Sequence, residues 1–254
     1  MRYALEIKYD GTRYNGWQAQ PGTLTVQGIM DAALSTLHNT AIESTGCGRT
    51  DSGVHASQFF LHFDSQCPLP VNFTYRLNRL LPPDISVKAI YSTTENFHAR
   101  YDAVYRAYNY FCHYNKSPFL APYSLHIRRN LLDIEKMRYC FEMLKDYQDF
   151  RAFCKTGSAQ NHYHCDLYET RMIEDVYAGR LQFHIAANRF LRGMIRRVVG
   201  TLLMVGQHKI SHEEFTKNME IHSYFKLNVS VPPHGLFLSE VRYPPGLLTL
   251  HIED

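Results

Sequence analysis

The sequence predicts a mixed α+β fold in two similarly built halves, and three observations predict it. Short stretches alternate apolar and polar residues as half-buried strands do, and other stretches carry apolar residues at helical spacing. The order in which the two kinds follow one another over residues 1–100 returns over 101–254, though the letters do not. The 254 residues suffice for one large domain or two small ones packed together, and 45% hydrophobic with 20% charged residues are globular proportions that exclude wholesale disorder.

Taken in order, Tyr3, Leu5, Ile7 and Tyr9 alternate with Ala4, Glu6 and Lys8 as a half-buried strand ending at the turn Asp10-Gly11. Residues 14–22 read as an irregular aromatic loop. From Val26, the positions Val26, Ile29, Met30, Ala33, Leu34 and Leu37 share a helical face. After a glycine-rich loop at 46–53, residues 55–63 form a strand with Phe59, Leu61 and Phe63 on one side. A short helix around Phe73, Leu77 and Leu80 stops at Pro82-Pro83, and Ile85 to Tyr91 alternates again. In the second half, residues 104–113 form an aromatic strand, and Asp133 caps a helix with Ile134, Met137, Phe141 and Leu144 inward. Leu181, Phe183 and Ile185 alternate as a strand that leads into a helix over 190–205. At about 100° per residue that helix gathers Phe190, Met194, Val198, Thr201 and Val205 on one side and Arg189, Arg192 and Arg196 on the other. The arginine side is either a wet face or the lining of a cleft that meets phosphate or a carboxylate.

Charge is distributed unevenly. The net charge is +3, yet residues 176–212 alone carry six basic residues and no acid, and 96–130 sum to +4. Of the 27 basic residues 18 are arginine, whose planar fork grips phosphate and stacks on bases, so the balance leans towards a polyanionic partner. No apolar run approaches the ~18–20 residues of a membrane span. Glu6 falls where a secretory leader would be apolar, and the six cysteines are scattered, so reduced thiols and a cytoplasmic location are expected.

The sharpest local pattern is Gly46-Cys47-Gly48-Arg49-Thr50-Asp51-Ser52-Gly53-Val54-His55-Ala56. Glycines let a bulky ligand approach the main chain, and an aspartate beside a guanidinium is favoured in its charged form. Asp-Ser-Gly is also an ordinary turn sequence. Cys154, His162, His164 and Cys165 are residue types that bind zinc, but their Cys-x7-His-x-His-Cys spacing matches no standard structural site. No phosphate-cradling glycine loop follows a strand, so a nucleotide cofactor is not indicated.

The segment Gly48 to Ala56 resembles the catalytic loop of the tRNA pseudouridine synthase A family. The resemblance extends through Tyr9-Asp10-Gly11-Thr12, Gly16-Trp17-Gln18, Thr25-Val26-Gln27, Phe97-His98-Ala99-Arg100-Tyr101, Arg106-Ala107-Tyr108-Asn109-Tyr110, Asp149 to Phe153, Asn188 to Gly200 and Gly235-Leu236-Phe237-Leu238. These blocks keep the family's order and cover nearly the whole chain. The resemblance implies the pseudouridine synthase fold, with two RRM-like halves sharing a mainly antiparallel sheet around a basic cleft. It implies isomerisation of uridine at nucleotides 38, 39 and 40 of the tRNA anticodon stem-loop, without metal or organic cofactor, by a homodimer. Residue by residue, it makes Asp51 catalytic, with Arg49, Tyr108, Arg196 and Leu236 at the substrate. Arg196 is then expected to pair with Asp51, Tyr108 to stack on the uracil, Arg49 to fill the space the flipped base leaves or clamp the backbone, and Leu236 to give the pocket an apolar wall. By the same correspondence 1–100 is the half bearing the catalytic loop and 101–254 the other half. Cys47 and Ser52 depart from the family's usual small residues without endangering the loop. The basic stretch 176–212, with Arg100, Arg106, Arg128 and Arg129, is the expected RNA footprint. Two rivals remain: a non-catalytic RNA-binding module, in which a lone carboxylate in a basic setting has no use, and a zinc hydrolase on Cys154, His162, His164 and Cys165.

Overall fold

Alternation along the first strand was expected to leave one side wet, but the strand is covered on both faces. Tyr3, Ala4, Leu5, Glu6, Ile7 and Tyr9 are all buried and Lys8 is exposed, in the computed structural model, which describes residues 1–154, 162–227 and 229–251. The strands are β1 (Arg2–Tyr9), β2 (Thr45–Gly46), β3 (His55–Asp64), β4 (Ile85–Ser92), β5 (Tyr105–His113), β6 (Leu125–His126), β7 (Leu167–Asp175), β8 (Arg180–Ala187), β9 (Leu236–Arg242) and β10 (Thr249–Leu250). The helices are α1 (Val26–His38), α2 (Phe73–Leu80), α3 (Ile134–Met143), α4 (Met194–Gly206) and α5 (His212–Glu220). The α+β class is as expected.

By internal contacts the chain forms two units. The first is Met1–Arg106 together with the stretch from Phe237 onward, and the second is Ala107–Leu236. In the first unit the strand order is β10-β4-β1-β3-β9, with β2 added on β3. β1 runs antiparallel to β3, from Arg2 opposite Asp64 to Tyr9 opposite Ala56. β9 joins β3 in parallel, with His55 opposite Phe237, and this pairing ties the late stretch to the first unit. The register of β1 on β4 shifts between Glu6 and Ile7, so that Val87 and Ile90, of opposite parity, both turn inward. α1 begins where its spacing predicts, with the Thr25 hydroxyl accepting from the Gly28 amide at 3.2 Å. Its buried residues include Val26, Met30, Ala33 and Leu34. On α2, Phe73 and Leu77 are buried as expected, but Leu80 is exposed and Leu81 takes the inward position. Aromatic packing fills this core: Trp17 lies 4.2 Å from Phe59, ring centre to ring centre, and Tyr9 lies 5.6 Å from Phe59.

The second face of β1 holds a buried acid. Lys88 Nζ donates to Glu6 Oε1 at 2.8 Å, Gln58 Nε2 to the same oxygen at 3.0 Å, and the Tyr91 hydroxyl to Oε2 at 3.0 Å. Burial acts to raise the Glu6 pKa, but these three donors and the Lys88 charge outweigh it and leave it below the usual 4.5. A lowered folded-state pKa stabilises the fold above the unfolded value and loses that contribution as pH falls through the folded one. The thermal midpoint should therefore drop on acidification below about pH 4.5, and Glu6→Gln should flatten that part of the profile while lowering the midpoint at neutral pH. An unchanged acid limb in Glu6→Gln would remove Glu6 from the account.

In the second unit β6 pairs with β5, and β5, β8 and β7 follow in order. β7 and β8 form an antiparallel hairpin from Leu167 opposite Ala187 to Asp175 opposite Arg180. Asp133 caps α3 as its sequence predicts, accepting from the Lys136 amide at 3.1 Å, and Ile134, Met137 and Phe141 are buried. α5, which apolar spacing did not reveal, is capped by Ser211 and buries only Phe215 and Met219. The helix expected over 190–205 begins four residues late, at Met194. Gly193 stands before it with φ of 68°, outside the right-handed helical region, and its carbonyl accepts the first helical bonds. Arg189 and Arg192 consequently lie outside the helix, and the expected arginine face does not form. α4 is covered almost all round, including Ile195, Val199, Leu202 and Leu203. No helix among the described residues is long and apolar enough to cross a membrane.

Candidate active site

The loop 47–54 is built on the first unit's sheet and held from three sides. It leaves β2, where Cys47 N donates to Phe60 O at 2.7 Å, and it enters β3 at His55. The Cys47 thiol is fully buried, and burial pushes its pKa up to about 11, so the sulfur is inert packing. Its carbonyl accepts from Arg106 Nη2 at 3.0 Å, and the same guanidinium reaches the Ala103 and Arg100 carbonyls. Arg106, expected in the RNA footprint, is thus at least partly committed to backbone.

The aromatic loop after β1 forms the second side. Trp17 N donates to Thr50 O at 3.3 Å, Gly53 N to Tyr14 O at 3.3 Å, and the Ser52 hydroxyl to Tyr14 O at 3.2 Å. Inside the loop, the Thr50 hydroxyl and the Tyr9 hydroxyl are 2.9 Å apart. Tyr14 is itself pinned, its hydroxyl donating to Asp84 Oδ1 at 2.6 Å while Arg13 Nε donates to Oδ2 at 2.7 Å. Burial, then the Asp84 carboxylate, raises the Tyr14 pKa to about 12 and keeps it a proton donor. The third side is His55, whose Nδ1 lies 3.0 Å from Asp10 Oδ1 and whose ring stacks on Phe237 at 4.4 Å.

At the tip, Val54 N donates to Asp51 O at 3.1 Å and Gly53 has φ of 75°. The Asp-Ser-Gly turn is therefore real, with glycine at the position that requires a left-handed residue. Turn and functional loop are not alternatives, because the turn is what presents Asp51. Asp51 is half-buried and Arg49 is exposed.

The remaining expected site residues belong to the second unit. Tyr108 is half-buried on β5 with its ring edge-on to Phe190 at 5.4 Å. Arg196 is half-buried in the first turn of α4 and donates through Nε to Val231 O at 2.7 Å. Leu236 is buried at the start of β9. Arg129, also expected at the RNA, is bridged to Glu174. Of the four groups of the zinc alternative, the two histidines have other partners, with Arg189 Nη1 2.6 Å from His162 Nε2 and His164 Nε2 3.0 Å from Asp166 Oδ1, while Cys154 and Cys165 are buried. Among the described residues no group of three or more His, Cys, Asp or Glu is placed to hold a metal ion. Tyr14, Asp84 and the Asp10–His55 pair were given no role from sequence, and Arg106 was given only a place in the RNA footprint, not its part in bracing the loop. Tyr9-Asp10 and Arg106 stand inside the family-like blocks, and that was the available signal.

A family model described as tRNA pseudouridine synthase matches residues 6–102 and 146–244. A protein from Bacteroides thetaiotaomicron called tRNA pseudouridine synthase A is 41% identical over 251 residues, 98% of this chain and 93% of that one. Proteins of the same name from Porphyromonas gingivalis and Bacillus subtilis are 37% and 38% identical, over 97% and 96% of this chain and 98% and 99% of theirs. A solved H/ACA ribonucleoprotein bound to substrate RNA aligns over 80% of this chain and 53% of its own at 10% identity and a TM-score of 0.30, too slight a likeness to carry weight. The half-buried aspartate on a braced glycine loop sits within an enzyme that isomerises uridine to pseudouridine in tRNA. The chain belongs to the tRNA pseudouridine synthase family.

Proposed function

We propose that this chain acts on uridines 38, 39 and 40 of the anticodon stem-loop, with Asp51 as its catalytic residue, as a cytoplasmic homodimer that needs no cofactor. The observation that carries the reading is the bracing of the loop 47–54. Tyr14, Trp17, Arg106 and β3 all hold its backbone, while Arg49 is left exposed and Asp51 half-exposed at its tip. A pure binding module gains nothing from holding one carboxylate this firmly, because an acid repels phosphate. That observation favours the enzyme over the binding module.

The reaction breaks the bond from uracil N1 to ribose C1′, turns the base and forms a bond from C5 to C1′; the C5 proton leaves and N1 gains one. Asp51 serves either by adding to the sugar or base as a nucleophile or by taking a ribose proton as a base. Tyr108 gives the base a ring to stack on, Leu236 an apolar wall, and Arg49 and Arg196 the positive charge that RNA requires. Extracting the base from its stack costs a few kcal/mol, which contacts to the flipped nucleotide offset.

Incubation with unmodified tRNA transcripts followed by carbodiimide mapping tests the reading. Pseudouridine is expected at 38, 39 or 40 wherever the transcript carries uridine there. Product confined to other loops of the tRNA, or no product at all, would overturn it.

A further inference from the structure

Beside the catalytic loop, and wholly within the first unit, lies a concave cavity of about 140 Å³. It is lined by Gly48 and Arg49 on one side and by His98, Arg100 and Tyr101 on the other, with Gln18 on its wall. None of its lining residues is acidic. Arg49 and Arg100 are both exposed, and neither forms an ion pair or a side-chain hydrogen bond among the described residues. This sets them apart from Arg106, Arg129 and Arg13, which are bonded to carbonyls or carboxylates.

The walls are set in place by groups that leave donors over. His98 Nδ1 accepts from the Arg100 amide at 3.1 Å and the Tyr101 amide at 3.3 Å, so its proton sits on Nε2. Its ring packs on Tyr101 at 4.2 Å, and Arg100 lies 5.9 Å from the Tyr101 ring centre. Behind His98, burial pushes the His62 pKa down to about 4, and its Nδ1 accepts from the Ala99 amide at 3.1 Å, which holds the 97–101 turn from below. On the opposite wall, buried Gln27 accepts from Gln18 Nε2 at 2.8 Å and donates to Ser44 O at 2.7 Å, which fixes the Gln18 side chain.

Size decides what fits. The cavity is well below the ~300–1,000 Å³ of a site that encloses a small-molecule ligand, so it takes a single group whose remainder stays outside. Two guanidinium forks and an imidazole donor with no acid among them select an anion, and Arg forks match phosphate oxygens bidentately. We infer that this cavity holds one backbone phosphate of the bound RNA strand, gripped jointly by Arg49 and Arg100. It is then a positioning subsite beside Asp51, in which Arg49 acts on the backbone and not on the space the flipped base leaves. The inference rests on the reading that tRNA is the substrate.

Binding of unmodified tRNA to the full-length protein, measured across a salt series, tests it. Each phosphate neutralised contributes about 0.7–0.9 to the slope of log K against log salt. Arg49→Gln, Arg100→Gln and the double variant are compared with the parent, thermal melting confirming that each is folded. If one phosphate is shared, each single variant weakens binding, and the double variant loses about one phosphate of slope, ~0.7–0.9, with losses in log K that do not add. Additive losses with two phosphates of slope would place the arginines on separate phosphates and overturn the inference. So would a slope unchanged in the double variant. Inorganic phosphate alone, titrated at constant ionic strength, should bind far more weakly than tRNA; tighter binding would assign the cavity to a free anion instead. A parent protein that makes pseudouridine while these variants show no slope change sinks the subsite alone. A parent that neither binds nor modifies tRNA sinks the functional reading beneath it.

Discussion

Asp51→Asn is expected to abolish turnover while leaving fold and tRNA binding in place. Asparagine matches aspartate in shape, and the bond from Val54 N to the residue-51 carbonyl is a backbone bond that the substitution does not touch. The bonds that brace the loop from Tyr14, Trp17 and Arg106 end on other residues, on backbone atoms and on the Ser52 hydroxyl, so the tip should keep its path. What is lost is an anionic oxygen able to add to an electrophilic carbon or take a proton, and an amide does neither usefully. Single-turnover formation of pseudouridine should fall by about 10²–10⁴-fold or more, with tRNA affinity kept or slightly raised because one negative charge is gone. Asp51→Glu restores the charge but carries it one methylene further, and should recover little. Turnover by Asp51→Asn within tenfold of the parent would remove Asp51 as the catalytic residue.

What the sequence disclosed and what it hid divide along physical lines. Val26, Met30, Ala33 and Leu34 announced α1 because one face of that helix is buried while the other meets water, and only a one-sided environment leaves a period in the sequence. α4 is enclosed almost all round, so the apolar stripe read from its sequence marks only part of its buried surface, and Gly193 with its left-handed backbone was read as a helical residue because the apolar run continues across it. α5 was missed for the opposite reason: two buried side chains in nine residues make too faint a stripe. Ala4 and Glu6 looked like the solvent side of β1. The burial of Glu6 is met by bonds from Gln58, Lys88 and Tyr91, which arrive from strands more than fifty residues away. In the site, glycine spacing and the family blocks picked out the 46–56 loop, since a backbone that must turn sharply needs particular residues locally. The brace from Asp84 through Tyr14 to Gly53 was not legible, because Asp84 is seventy residues from Tyr14 and nothing about a lone aspartate after Pro83 states its partner.

That brace predicts a second large effect, at Gly16. Its backbone has φ of 81°, and a Cβ built there would stand 2.3 Å from Thr50 O and 3.1 Å from Asp51 C. Gly16→Ala therefore meets two costs, about 1–2 kcal/mol for the left-handed conformation and a clash with main chain, which cannot rotate away as a side-chain tip can. The least costly relief is for the 50–52 segment to retreat, which stretches the Trp17 N to Thr50 O bond and moves Asp51 with it. A displacement near 1 Å at a reacting group costs about 100-fold in rate, so kcat should fall by about that factor. Total destabilisation of about 2–3 kcal/mol would lower the melting midpoint by roughly 4–12 °C. Gly22→Ala separates the two costs: φ there is 71°, yet nothing stands within 4 Å of the added carbon. It should lose stability from backbone strain and keep its kcat. If Gly16→Ala and Gly22→Ala proved alike in both melting and turnover, the loop would not be set by its contact with Gly16. If Gly16→Ala alone loses turnover, the position of Asp51 is dictated from a residue thirty-five places earlier, through the backbone of the aromatic loop and not through any side chain that touches RNA.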